Sequence, residues 1–233
     1  PRAPSESDIA VAEPLRATVL ISGTGSNLQA LIDARDAGGL DLDIIHVISN
    51  VPSAQGLERA TRAGIRSSVL DHRNFDERED FDRALAVLMA ADDPELIILA
   101  GFMRIIGPQV LEPFAGRMIN LHPSLLPLYR GTGTYQRALD AGDRQHGASI
   151  HFVTAELDGG PVLSQVVIPI LETDDAARLA ARLGPKEHEL IVASIELMAR
   201  RRVTCDGSVI RVDGDPLKRP FRLQEDGTLD ENV

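Results

Sequence analysis

The stretch VLISGTGSNLQALI, residues 19–32, decides the fold. Val19, Leu20 and Ile21 are a short apolar run without polar alternation, as expected of a strand covered on both faces. Gly23 and Gly25 break the run, and Leu28, Leu31 and Ile32 then recur at helical spacing. Strand, glycine turn and helix in that order form a unit that can hold a dinucleotide, a nucleoside triphosphate, a simple phosphate ester, or nothing. The dinucleotide fingerprint needs a third glycine where Leu28 stands, and an acid at the end of the next strand, where the chain has Ser49-Asn50. The triphosphate loop needs Gly-Lys-Ser/Thr, and no lysine follows. Two readings survive: a small phosphate held by the amides of Gly25, Ser26 and Asn27, or a structural turn in which Ser26 caps the helix.

Working outward, apolar runs alternate with helical ones. Residues 17–22, 44–49, 66–70 and 96–100 read as strands, and 26–37, 54–63 and 77–91 as helices, with Phe81, Leu85 and Leu88 on one helical face. This alternation predicts an α/β fold with a mostly parallel twisted sheet flanked by helices. MINLH at 118–122 is a further strand, then come a helix near 134–141 and strands at 148–154 and 163–168. Residues 175–201 read as a long helix interrupted at Gly184-Pro185. The expected organisation is a disordered tail over 1–15, one domain over 16–202, and a hairpin with a loose end over 203–233.

Twenty-four Lys and Arg against 35 Asp and Glu leave a net charge of −11. That balance argues against non-specific binding to nucleic acid or anionic membranes, which needs a basic face. A small anionic substrate remains compatible, because local amides and one or two arginines bind it against the overall field. Cys205 is the single cysteine, so no internal disulfide and no zinc-finger spacing arises. No stretch has the length of a membrane span or the pattern of a targeting segment, and the plain expectation is a soluble cytoplasmic protein.

Two further stretches carry chemistry. Asn120 and His122 are two apart at a strand end and share a face. An amide donor beside an imidazole suits a carbonyl that becomes an oxyanion, although a pair of solvated polar residues fits the spacing too. Asp158 precedes Gly159-Gly160-Pro161, in a loop that can bend a carboxylate toward His122 and favour the imidazolium; an ordinary aspartate in a turn is the alternative. The other histidines form no ligand cluster: His146 and His151 fall on opposite faces of a strand, and His46 reads as a satisfied core residue. No catalytic metal is expected.

With these motifs in hand, the sequence resembles the phosphoribosylglycinamide formyltransferases, folate-dependent enzymes of purine synthesis with a Rossmann-like fold. The resemblance rests on VLISGTGSNLQALID, ISN, LAGFMRI, INLHPSLLP, GASIHFVTAELDGGPVLSQ and KEHEL, and spans residues 16 to about 202. It implies 10-formyltetrahydrofolate and glycinamide ribonucleotide as substrates and Asn120, His122 and Asp158 as the catalytic triad. It further implies Gly25, Ser26 and Asn27 as the phosphate cradle and Glu187 as a ribonucleotide contact. Met103, Arg104, Ile105 and Ile106 would form the folate pocket, with His151 in support. A homodimer is left open. Three positions depart from the family pattern: Thr24 stands for a frequent Asn, and Gly133 and Tyr135 stand where histidines are common. Formyltetrahydrofolate deformylase is the alternative enzyme, sharing the triad but using water as acceptor. Methionyl-tRNA formyltransferase fits less well with the acidic charge, and a non-catalytic binding protein fits less well with an intact triad.

Overall fold

The computed structural model describes residues 13–230. Val19, Leu20 and Ile21 lie fully buried in β1 (Leu15–Ile21), and the glycine turn leads from it into α1 (Ser26–Asp36). The chain continues through β2 (Leu42–Ser49), α2 (Gly56–Arg62), β3 (Ser67–Val69), α3 (Arg78–Ala90), β4 (Leu96–Leu99), α4 (Pro108–Leu111) and β5 (Met118–His122). It then forms α5 (Thr134–Asp140), β6 (Gln145–Phe152), β7 (Val162–Pro169) and α6 (Ala176–Arg200), and ends in β8 (Val203–Asp206), β9 (Val209–Val212), β10 (Asp215–Pro216) and β11 (Phe221–Arg222). The main sheet has the order β11-β7-β6-β5-β4-β1-β2-β3. Strands β1 to β5 all run parallel, and β6 turns back antiparallel to both β5 and β7.

Successive residues of β1 serve opposite faces, as the two-residue period of a strand dictates. Val19 and Ile21 pack with Leu28 and Leu31 of α1 and Leu183 and Leu190 of α6. Leu20 packs on the other face with Phe81, Leu85 and Met89 of α3. Strand β1 has β2 on one side and β4 on the other, so successive connections leave in opposite directions and open a crevice at the carboxyl ends of β1 and β4. Ser22 stitches that crevice. Its N–H donates to the Gly101 carbonyl (3.1 Å), and its hydroxyl donates to Asn50 Oδ1 (2.5 Å) while accepting from the Met103 N–H (2.8 Å). His46 is a satisfied core residue, with Nδ1 2.6 Å from Asp92 and Nε2 2.8 Å from Ser68.

Two sequence expectations are corrected. The long C-terminal helix is not interrupted: α6 runs through Gly184 and Pro185 without a break. Proline in a helix interior costs about 3 kcal/mol, but Leu179, Leu183, Leu190 and Ile191 are all buried across the site, each contributing roughly 1.5–3 kcal/mol. Burial on both sides of the proline therefore decides the outcome. The described residues that follow the hairpin are not all loose either. Beyond the β8–β9 hairpin, β11 pairs with β7 in the main sheet, and Phe221 there is 2% exposed. Its polar surroundings hide one anchoring aromatic. Of the tail expected over 1–15, residues 1–12 lie outside the described residues, as do 231–233, and β1 begins at Leu15. Among the described residues no helix is long and apolar enough to cross a membrane.

Since packing and not local preference keeps α6 continuous, Pro185→Ala should raise stability by about 1–2 kcal/mol. That is the interior cost of proline, less the freedom its ring removes from the unfolded chain. Calorimetry reads this as a higher Tm; an unchanged or lower Tm would show that the helix is shaped around the ring.

Candidate active site

The site grows from the C-terminal end of β5. Asn120 pairs in register with His151 of β6, and His122 with Ser149. This antiparallel pairing brings Asn120 Nδ2 to 3.1 Å from His151 Nε2. His151 Nδ1 lies 3.0 Å from the Phe152 carbonyl, which can only accept, so Nδ1 carries the proton. Burial pushes His151 down to about 4, so the ring is neutral at pH 7 and Nε2 accepts from Asn120. The Asn120 amide is thereby fixed as a donor, with its second N–H unclaimed by His151.

His122 is buried, with Nε2 3.0 Å from the Tyr129 carbonyl and Nδ1 3.5 Å from Asp158 Oδ2. Both ring nitrogens face acceptors, an arrangement that only the doubly protonated ring can serve in full. Asp158 sits in the β6–β7 loop with φ 47°, and its Oδ2 accepts from the Gly131 N–H (2.8 Å). Its Oδ1 is 3.7 Å from His151 Nε2. The loop reaches this position because residue 160 is glycine: a Cβ there would lie 1.8 Å from the Phe152 carbonyl oxygen.

Asn120, His122, His151 and Asp158 line one cavity of about 650 Å³. Met103, Arg104, Ile105 and Ile106 form another wall of it, and Gly133 and Tyr135 also line it. Met103 is 79% exposed and Ile105 52%, an apolar surface with no protein covering it. Gly25, Ser26, Asn27 and Glu187 do not line this cavity. Glu187 lies behind its wall, where its carboxylate accepts from the Tyr135 hydroxyl (3.1 Å). Burial raises Glu187, and burial together with that carboxylate raises Tyr135.

Gly25 adopts φ 70° as the residue before α1, and no side chain caps that helix. Ser26 is thus not a cap, and the first amides of α1 lack a side-chain partner. A Cβ on Gly25 would meet the Gly56 Cα at 2.6 Å, so α2 packs directly against the turn. Arg59 of α2 donates to the Thr24 carbonyl (2.8 Å) and Gln29 Oε1 (3.1 Å), and pairs with no carboxylate among the described residues. The sequence reading passed over Arg59, because a lone arginine on a helix carries no signal of what it faces. It also passed over the Tyr129 carbonyl and the Gly131 N–H, which are backbone groups and leave no trace in residue type. Cys205 lies far along the chain in β8, its thiol pushed up to about 11 by burial, which leaves it unreactive. Among the described residues no three His, Cys, Asp or Glu side chains group as metal ligands.

The lowered His151 makes folding sensitive to acid. The unfolded chain takes up this proton near 6.5 and the folded one only near 4, so the contribution is full above pH 6.5 and is lost as pH falls toward 4. The gap corresponds to about 3 kcal/mol. Urea unfolding of His151→Gln at several pH values should show a shallower loss of stability between pH 6.5 and 4 than the parent. Parallel profiles would mean that His151 titrates alike in both states.

Residues 15–195 match the model of the formyl transferase family. A phosphoribosylglycinamide formyltransferase of Escherichia coli K12 is 44% identical over 199 residues, which are 85% of this chain and 94% of that protein. A solved phosphoribosylglycinamide formyltransferase from Coxiella burnetii superposes with a TM-score of 0.83 at 42% identity, covering 88% of this chain and 96% of its own. A formyltetrahydrofolate deformylase from Burkholderia mallei superposes with a TM-score of 0.77 at 27% identity, covering 86% and 70%. The chain belongs to the formyl transferase family, in its phosphoribosylglycinamide formyltransferase branch.

Proposed function

We propose that the protein transfers the formyl group of 10-formyltetrahydrofolate to the glycine amine of glycinamide ribonucleotide, giving formylglycinamide ribonucleotide and tetrahydrofolate. The observation that carries this reading is the convergence of an amide donor, an imidazole and a carboxylate on one cavity with an apolar wall. The amine nitrogen bonds to the formyl carbon, and the bond from that carbon to N10 of the folate breaks. The amine loses one proton and N10 gains one. The unclaimed N–H of Asn120 faces the charge that develops on the formyl oxygen. Nε2 of His122 is fixed on the Tyr129 carbonyl, while Nδ1, just beyond hydrogen-bond length from Asp158, is the nitrogen that turns its proton to the same oxygen. Asp158 orients that ring and relays the amine proton through water.

Met103, Arg104, Ile105 and Ile106 take the folate ring system, for which the exposed apolar side chains of Met103 and Ile105 are suited. The uncapped amides of Ser26 and Asn27, with Gly25 and with Arg59, which pairs with no carboxylate among the described residues, take the ribonucleotide phosphate. Glu187 serves the same substrate from behind Tyr135. The same reading makes the protein a cytoplasmic enzyme without a catalytic metal. The deformylase shares the architecture at lower identity, and it predicts formate release that does not depend on ribonucleotide.

Formyl transfer from 10-formyltetrahydrofolate should require glycinamide ribonucleotide; steady formate release in its absence would favour the hydrolase. Asn120→Ala and Asp158→Asn should each lower kcat by roughly 10²–10⁴ with either KM little changed. The double variant should be far less impaired than the product of the two losses, since the groups act on one transition state. Near-normal kcat in Asp158→Asn would remove that carboxylate from the mechanism.

A further inference from the structure

The loop from Gly101 to Gly107 gives the cavity its apolar wall, and α3 holds that loop from behind. Arg78 Nη2 donates to the Ile105 carbonyl at 2.7 Å. Asp82, one helical turn further on, sets its carboxylate against the backbone at Gly107, and Arg78 Nε lies 3.6 Å from its Oδ2. The Arg104 guanidinium covers the ring of Phe81, 4.7 Å from its centroid. Residues 78, 81 and 82 recur at helical i, i+3, i+4 spacing, so one face of α3 supplies all three anchors. Neither Arg78 nor Asp82 lines the cavity.

Asp82 is 2% exposed. A carboxylate that deep is retained at a cost unless it is paired and hydrogen-bonded. The groups facing it are Arg78 and Arg104, the Gly107 N–H and, adversely, Glu79. Its approach also uses the space that glycine leaves at 107: a Cβ there would lie 2.2 Å from Asp82 Oδ2 and would push the carboxylate aside. The core needs no carboxylate at this place, because Phe81, Leu85 and Met89 already bury the apolar face of α3. What the carboxylate adds is a grip on the end of the loop.

We propose that Arg78 and Asp82 are positioning residues that hold loop 101–107 in the shape that receives the ring system of the formyl donor. This rests on the reading that the loop takes the folate. The clamp holds the backbone at 105 through the Arg78 hydrogen bond and packs against it at 107 through Asp82, and Ser22 fixes it at 103. Met103 and Ile105 can then stay exposed on a loop that does not collapse over them.

The test uses Arg78→Met, at a side chain 44% exposed and so tolerant of replacement, beside Asp82→Asn. In the protein without ligand, amide hydrogen exchange over 103–107 should quicken roughly tenfold in both variants, with β1, β4 and β5 unchanged. The KM for 10-formyltetrahydrofolate should rise about tenfold, as expected for a lost charged hydrogen bond, while kcat and the KM for ribonucleotide stay within about twofold. Arg78→Lys, which keeps one donor for the Ile105 carbonyl, should recover part of the loss. The double variant should be little worse than the poorer single one, because both residues serve one clamp. Unchanged exchange over 103–107 would overturn the proposal, and so would a common loss in kcat and both KM values accompanied by a lower Tm. Absence of folate-dependent transfer in the parent enzyme would instead sink the functional reading, and the exchange rates would still decide the clamp.

Discussion

The antiparallel register of β5 and β6 is the constraint on which the site depends. It sets Asn120 opposite His151, and the neutral imidazole then decides which way the amide points. A slip of one residue would turn Asn120 and His122 together to the opposite face. Because β6 runs antiparallel, it ends beside Met118 and Ile119 at the start of β5, and the loop that follows folds back over β5 to bring Asp158 to His122. Three side chains from two distant stretches meet because that loop folds back, which the missing Cβ at Gly160 allows.

A chain of net charge −11 is an unpromising host for a phosphate and a folate, both anionic. The resolution is local. Charges beyond about a Debye length are screened, so the field at a site is set by its near neighbours. Around the glycine turn these are the uncapped amides of α1 and the guanidinium of Arg59, which no carboxylate neutralises among the described residues. At β5 the carboxylate of Asp158 is matched by His122 and by the Gly131 N–H. Acidic residues elsewhere weigh on solubility more than on binding.

Much of this is legible in the amino-acid sequence. Val19 to Ile21 read as a buried strand because a run without alternation fits a strand covered on both faces, and it is central here. Asn120 and His122 read as sharing a face because a strand has a period of two. Gly159-Gly160 signalled a sharp bend, and the bend proves to depend on the missing Cβ at 160. The failures have a common cause in partners distant in sequence. Pro185 should break a helix, and only the leucines packed against the sheet on both sides of it prevent that. Phe221 looks like any residue of a polar tail until β7 offers an open edge. Tyr129 and Gly131 act through backbone atoms, which no residue type announces.

Ser22 shows how closely the two proposed substrate ends are joined. It is the first residue after β1, directly ahead of the glycine turn, yet its hydroxyl holds the Met103 N–H and the Asn50 side chain. The loop proposed for the folate and the turn proposed for the phosphate thus share one hydroxyl as a fixed point. Such a link holds two loops in a common frame before either substrate arrives, which lowers the ordering cost that binding would otherwise carry. It also limits adaptation: neither loop shifts without pulling on the other. A transfer between two bound molecules, in which attacking and accepting atoms must come within about 3–3.5 Å, benefits from that rigidity. The exposed groups are the side chains at the mouth of the cavity, Met103 and Ile105, where fit to an apolar ring is needed and alignment of reacting atoms is not.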